Sequence, residues 1–112
     1  MNGIVGTSHS KSKVLGRSQD TAKMWVNFNG SVFALRDGFN VSSITDNGTG
    51  NYYVDLNEAM KTATDYCLTK YDNAYGAGWS NLISASRVQV YSVNLSQTAV
   101  DFGYVWVTIF GD

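Results

Sequence analysis

The stretch FNVSSITDNGTGNYYVDL, residues 39–56, has a polar, glycine-containing centre between two runs of aromatic and β-branched residues. Asp and Asn tolerate a positive φ, and Gly adopts it without a Cβ clash, so the central DNGTG, residues 46–50, predicts a tight reversal. The flanking residues are types that pack well on a pleated surface. The stretch therefore predicts a β-hairpin, two strands joined by a turn.

A second hairpin is predicted before the first. In AKMWVNFNG, residues 22–30, a strand places Met24, Val26 and Phe28 on one face and Lys23, Trp25 and Asn27 on the other. The next segment, SVFALRDGF at residues 31–39, is predicted as its partner, with a bend or bulge at Asp37-Gly38.

The two clearest strands lie near the C-terminus, in RVQVYSVNL (residues 87–95) and GYVWVTIF (residues 103–110). DYCLTKY, residues 65–71, also returns to a period of two. Together these segments predict an all-β fold, an antiparallel β-sandwich that spans residues 22–112. Residues 1–21 are rich in Gly, Ser, Lys and Thr and are predicted to form an extended N-terminal arm.

Two other segments are predicted not to be strands. Leu56, Ala59, Met60 and Ala63 recur at helical spacing after an Asp55-x-x-Glu58 capping pattern, which predicts a short helical connector. DNAYGAGWSNLISAS, residues 72–86, carries two glycines among small polar residues and predicts a long loop.

Composition excludes several functional classes. The chain has 112 residues, 44% of them hydrophobic and 15% charged, which predicts one compact domain. The net charge of −1 argues against a nucleic-acid partner. With one cysteine and one histidine, Cys67 and His9, neither an internal disulfide nor a Cys/His zinc site is expected. No segment has the ~20 apolar residues of a membrane helix, so we expect no membrane insertion.

The residues also give little reason to expect catalysis, a metal or a cofactor. His9 lies in the arm, and the alternation around Cys67 can place it in a core. The DNGTG turn lacks the alternate ligands and distal Glu of a calcium loop. The carboxylates that a glycosidase would need show no constellation in sequence and are predicted to be solvated; they are Asp55, Glu58, Asp65, Asp72 and Asp101.

The last strand is apolar on both faces, because Tyr104, Trp106 and Phe110 alternate with Val105, Val107 and Ile109. Such a strand must be covered on both sides, and a chain of this size has little left to cover the second one. A second copy of the chain is the simplest cover. The predicted oligomer interface comprises Trp25, Tyr104, Trp106 and Phe110.

Aromatic and hydrogen-bonding side chains also recur in the predicted long loop, which is how exposed loops hold sugars and proteins. The alternative is that these aromatics pack at the sandwich edge or against a neighbouring subunit. The possible receptor-contact residues are Tyr71, Asp72, Asn73, Tyr75, Trp79 and Asn81.

The segments AKMWVNFNG, RDGFNVSSITDNGTGNYYVDL, AM, DYC and YVWVTIFGD resemble the C-terminal domain of many tailed-bacteriophage tail fibre and related virion structural proteins, especially from marine and cyanobacterial phages. The resemblance spans Ala22 to Asp112. One departure is Lys61, where relatives commonly carry a proline after the AM pair, so the connector is expected to be more helical here.

The resemblance implies a trimeric, all-β, non-enzymatic protein on the outside of the virion. We expect a tail fibre or tail-associated component that binds other virion proteins through the arm and contacts a host glycan or protein. The alternative is a capsid decoration protein, a cement or head fibre. A third hypothesis, from another class, is a free carbohydrate-binding module or depolymerase fragment.

Overall fold

A computed structural model describes residues 22–72 and 77–111, together with the backbone of two short pieces near the N-terminus. Ten strands lie within these residues. They are β1 (Ile4–Val5), β2 (Lys13–Val14), β3 (Ala22–Asn29), β4 (Ala34–Phe39), β5 (Val41–Asp46), β6 (Asn51–Leu56), β7 (Tyr66–Asp72), β8 (Ala77–Ser84), β9 (Arg87–Val93) and β10 (Val105–Gly111).

Eight of these strands form two antiparallel sheets of four. Sheet I has the order β4-β3-β10-β7 and sheet II the order β5-β6-β9-β8. The all-β prediction is therefore confirmed, and the inner faces of both sheets contribute to one hydrophobic cluster, as in a sandwich. β1 and β2 pair only with each other, antiparallel, with Ile4 opposite Val14. The rest of the predicted arm lies outside the described residues.

The core follows from the period-two pattern. β3 buries Met24, Val26 and Phe28, and β10 buries the alternate residues of its own strand. From sheet II, β6 and β9 contribute in the same way. The buried hydrophobic residues are Met24, Val26, Phe28, Tyr52, Val54, Leu56, Met60, Leu82, Val88, Val90, Val105, Val107 and Ile109.

The hairpin predicted from residues 39–56 is confirmed. β5 and β6 pair antiparallel, with Ile44 opposite Val54, and the reversal lies at residues 47–50. Gly50 has a φ of 64°, and a Cβ at this position would lie 2.3 Å from the Ser92 carbonyl oxygen. Glycine is required here by both the backbone conformation and the close approach of β9.

The hairpin of β3 and β4 is also confirmed, but its irregularity lies one residue earlier than predicted. Asn27 pairs with Asp37 and Phe28 pairs with Leu35, so Arg36 is the extra residue of a bulge. Residues 31–33, predicted as the start of the second strand, form the turn instead, with Phe33 at a φ of 50°.

The predicted helical connector was wrong, because residues 57–65 contain bends and no helix. The Met60 N–H donates to the Ala85 carbonyl oxygen at 2.8 Å, and the Glu58 N–H donates to Asn40 Oδ1 at 2.8 Å. The Met60 donor, which a helix would use within itself, and the Glu58 donor, which the Asp55 cap would accept, are thus bonded to distant parts of the chain. Tertiary hydrogen bonds overrode a weak local helical pattern.

The predicted long loop was wrong for most of its length, because residues 77–84 form β8 and pair with β9. Gly78, which favoured the loop prediction, allows a close approach instead. A Cβ there would lie 2.1 Å from the Tyr91 carbonyl oxygen. A glycine within a strand often marks such an approach rather than the end of the strand.

Candidate functional site

The outer side of sheet I carries a large group of exposed aromatic residues, here called the aromatic face. They lie opposite the core because strands alternate, and each is between 37% and 52% exposed. The aromatic face comprises Trp25, Phe39, Tyr71, Tyr104, Trp106 and Phe110. All four residues predicted for the oligomer interface therefore lie on one surface.

The rings of the aromatic face pack against one another. Tyr71 and Trp106 are stacked, with centroids 4.9 Å apart and planes at 10°. Tyr104 lies 5.8 Å from Trp106, and the Arg36 guanidinium carbon lies 4.0 Å from the centre of the Tyr104 ring. At 4.9 Å two parallel rings must overlap, so Tyr71 and Trp106 do not lie side by side as a flat platform.

Polar residues also lie on the aromatic face, because paired positions place Asn27 and Asp37 in one row with Trp106 and Tyr71. Paired positions across sheet I place Thr69, Thr108 and Trp25 in one row, and Trp25 lies opposite Phe39. Cys67 is exposed beside Phe110, contrary to the prediction that it could be buried in the core. The alternation in β7 was predicted correctly, but it places Leu68 rather than Cys67 on the inner side of the sheet.

The outer side of sheet II differs in composition and is here called the mixed face. It combines aromatic rings with amides and an ion pair, and lies opposite the buried residues of β6 and β9. Its members are Tyr53, Asp55, Trp79, Asn81, Arg87, Gln89 and Tyr91.

An ion pair occupies one end of the mixed face. Arg87 donates from Nε to Asp55 Oδ1 at 2.6 Å and from Nη2 to Asp55 Oδ2 at 3.1 Å. The hydrogen bond from Arg87 holds the pKa of the Asp55 carboxyl below its ordinary value, more than partial burial raises it. The Arg87 guanidinium also lies over the Tyr53 ring, 4.6 Å from its centre.

The other end of the mixed face carries Trp79, which is 57% exposed. Its ring lies 4.7 Å from that of Tyr91, with the planes tilted by 34°. Gln89 Nε2 donates to the Tyr91 hydroxyl at 2.7 Å. Trp79 is therefore held by a neighbouring ring that is itself fixed by a hydrogen bond.

A shallow cleft of about 420 Å³ opens beside the ion pair. It is wide open to solvent and has both polar and apolar walls. The lining residues are Asp55, Leu56, Ile83, Ser84, Ser86 and Arg87.

Buried polar groups join the two sheets at one end of the sandwich. Lys70 pairs with Asp72, whose other oxygen accepts a hydrogen bond from Ser92 Oγ at 3.0 Å. The Tyr52 hydroxyl donates to Asp101 Oδ1 at 2.5 Å, and burial, reinforced by this hydrogen bond, raises the Tyr52 pKa. The Gly50 N–H donates to the same oxygen at 2.7 Å. These groups satisfy one another and tie the hairpin turn to the strand ends.

Asp72 and Asp101 lie at this same end of the sandwich and Asp55 on the mixed face, and the prediction that these acids are solvated was wrong for Asp72, which is buried. Asp55 is bound to Arg87, Asp72 to Lys70 and Ser92, and Asp101 to Tyr52 and Gly50. Within residues 22–72 and 77–111, no three His, Cys, Asp or Glu side chains lie close enough to hold a metal ion. The same residues contain no helix that is long and apolar enough to cross a membrane.

The six possible receptor-contact residues do not form one loop. Tyr71 belongs to the aromatic face, while Trp79 and Asn81 lie in β8 on the mixed face. Asp72 is only 4% exposed, so its carboxylate is not at the surface. Asn73 and Tyr75 lie outside the described residues. A receptor role stays a prediction for Tyr71, Trp79 and Asn81.

Several members of the mixed face were missed by sequence reasoning. Gln89 and Tyr91 lie in a segment that was predicted as a strand, but neither residue was singled out. The register of β8 against β9 is what places Trp79 beside Tyr91 and Asn81 beside Gln89. Alternation in β8 could have indicated this arrangement if its glycines had not favoured a loop.

Comparison of the chain with protein-family models, curated proteins and solved structures gave no match.

Proposed function

We propose that this chain is a non-catalytic virion structural protein of a tailed bacteriophage, a tail fibre or tail-associated component that assembles as a homotrimer. The aromatic face of sheet I lies at the subunit boundary, and sheet II faces outwards. The single observation that carries the assembly proposal is the group of six exposed aromatic residues on one surface. The virion setting and the three-fold order come from the sequence resemblance.

The size of the aromatic face supports association. Exposed fractions of 37–52% correspond to on the order of 500 Å² of aromatic surface. A stable interface buries about 800 Å² per partner, so these rings supply more than half of one, with a polar rim completing it. At roughly 25 cal/mol per Å², their burial offsets the loss of freedom on association, which costs about 4–15 kcal/mol.

The composition of the aromatic face favours a protein partner. Six large rings lie on this surface, and Tyr71 and Trp106 stack on each other. Tyr104 is tilted against Trp106, and Arg36 lies over Tyr104. Close-packed rings match the apolar centre of a subunit interface, and Arg36, Asn27 and Asp37 beside them match its polar rim.

Trp106→Ser tests the assembly proposal by sedimentation equilibrium at micromolar concentration. The wild-type chain is expected to be a trimer and the variant a monomer, because each subunit boundary loses a central aromatic residue. Such residues contribute about 2–4 kcal/mol each when they are interface hot spots.

Tyr91→Ser on the mixed face is the matched control and is expected to leave the trimer intact. A wild-type chain that is already monomeric at micromolar concentration overturns the proposal before any variant is made. Dissociation by both substitutions equally would also contradict it, because the effect would not be specific to the aromatic face.

The position in the virion is a separate question. In the alternative, the chain is a cement or head-fibre protein whose arm binds the capsid. Density for the protein at the tail of a virion reconstruction is expected, and density on the shell would reject the tail assignment. In the third hypothesis, a free carbohydrate-binding module or depolymerase fragment, the purified protein would bind or cleave glycans without a virion.

A further inference from the structure

We propose that the mixed face of sheet II binds a neutral glycan chain, which runs from the cleft at Asp55 and Arg87 across Gln89 to Trp79. This inference depends on the proposed function, in which sheet II faces outwards and contacts the host. The inference names the class of ligand and places the receptor contact on a sheet face instead of in the predicted loop.

The Trp79 end offers an apolar surface for a sugar ring. Trp79 is the most exposed of the tryptophans and tyrosines on the two outer faces, at 57%. Tyr91 supports it at 4.7 Å, and the hydrogen bond from Gln89 fixes Tyr91 in turn. A ring that is held before binding loses little conformational entropy when the ligand arrives.

The middle of the mixed face offers hydrogen-bonding groups. Register places Asn81 beside Gln89, and Gln89 beside Tyr53. Amide side chains both donate and accept, which suits the hydroxyl groups of a sugar. These residues project from strands rather than from a loop, so their spacing is set by the sheet.

The cleft end favours a neutral ligand. Arg87 donates two hydrogen bonds to Asp55, so the pair brings no net charge to the cleft. An anionic ligand would have to compete with Asp55 for the guanidinium group. Ser84 and Ser86 line the same cleft with hydroxyls, and Ile83 provides an apolar wall.

The dimensions fit an extended ligand. Arg87 and Tyr91 are four residues apart in β9, which corresponds to about 14 Å along the strand. A cleft at one end and an aromatic ring at the other thus suit a short oligosaccharide better than a single sugar. Three copies in a trimer would add avidity to a weak single site.

The experiment uses the full chain on an array of neutral bacterial surface oligosaccharides, followed by calorimetric titration of the best-bound oligosaccharide. Trp79→Ala is expected to weaken binding by about tenfold or more, as loss of a stacked ring does. Gln89→Ala is expected to weaken binding less than Trp79→Ala does, because it removes the hydrogen bond that fixes Tyr91. Val32→Ala, at a position that is 72% exposed in the β3–β4 turn, is the control and should leave binding unchanged.

The outcomes separate this inference from the assembly proposal. A trimer that binds no glycan on the array, or that binds only a host surface protein, overturns the inference and leaves assembly intact. Binding that neither Trp79→Ala nor Gln89→Ala weakens overturns the location. A monomer that binds an oligosaccharide through Trp79 supports the glycan site and overturns the proposed assembly.

Discussion

The two outer faces of this sandwich are built on the same strand geometry, but their side chains differ in chemistry. The aromatic face of sheet I gathers six large exposed rings, and Trp106 lies against both Tyr71 and Tyr104. The mixed face of sheet II separates its rings with amides and the ion pair of Asp55 and Arg87. The inner sides of both sheets contribute to one hydrophobic core. The shared core therefore does not dictate the difference between the two outer faces.

The two arginines that lie over tyrosine rings illustrate the contrast. Arg87 is neutralised by a carboxylate, to which it donates hydrogen bonds of 2.6 and 3.1 Å. Arg36 lies over Tyr104 and donates a long, 3.5 Å hydrogen bond to Asn27 Oδ1. The mixed face thus pairs its charged groups within the monomer and leaves amide side chains partly exposed, whereas the aromatic face leaves large apolar groups uncovered.

The largest effect on stability is expected from a residue on the inner side of β10, where the strand faces the core. Ile109 is fully buried, so Ile109→Ala is expected to lower the free energy of unfolding by about 2–5 kcal/mol. Phe110→Ala, one residue away on the aromatic face, is expected to cost about 1–2 kcal/mol in the monomer. Urea unfolding of both variants in the Trp106→Ser background measures the difference. Equal losses would show that Phe110 belongs to the core rather than to an outer face.

A smaller effect is expected at Cys67, the only cysteine in the chain. It is exposed in the monomer beside Phe110, so assembly through the aromatic face should shield it. Its reaction with a thiol reagent is expected to be about tenfold slower in the wild-type trimer than in Trp106→Ser, a protection of about 1.4 kcal/mol. Cys67→Ser gives the background rate. Equal rates in a confirmed trimer would place the subunit boundary elsewhere.

The smallest effect is expected from the ion pair of the mixed face. Because the pKa of Asp55 is lowered in the folded state, its contribution to stability is present above the ordinary value of 3.8 and is lost as the pH falls through the folded pKa. Asp55→Asn lacks this contribution. The difference in melting temperature between wild type and variant should therefore be constant from pH 7 to about pH 5 and shrink as the pH falls below about 4. A difference that is constant with pH would mean that the ion pair does not stabilise the fold.

Much of the fold could be predicted from local patterns. Alternation identified β3, β9 and β10, and the DNGTG turn identified the hairpin of β5 and β6. The predictions failed where local signals were weak or ambiguous. Residues 57–65 carry a short helical pattern, but the backbone N–H groups of Glu58 and Met60 donate hydrogen bonds to Asn40 and Ala85 instead. The glycines around Trp79 indicated a loop, although Gly78 serves a close approach within a strand.

The candidate surfaces divide in the same way. Alternation alone placed Trp106 and Phe110 opposite the core, because residues i and i+2 of a strand share a face. It could not place Tyr71 on Trp106, since that stack depends on β7 pairing with β10. The same holds for Trp79 and Tyr91, which meet only through the register of β8 against β9.

The sequence by itself determined that this chain forms strands, where its main turn lies, and that its last strand has two apolar sides. These properties depend on the types of residues that are close together in the sequence. Backbone geometry converts such local patterns directly into strand faces and turns. Only the tertiary structure decided which strands are neighbours, and hence that one outer face gathers aromatic residues and the other a polar mixture. Strand order and register arise from packing between residues far apart in the chain, which no local pattern encodes.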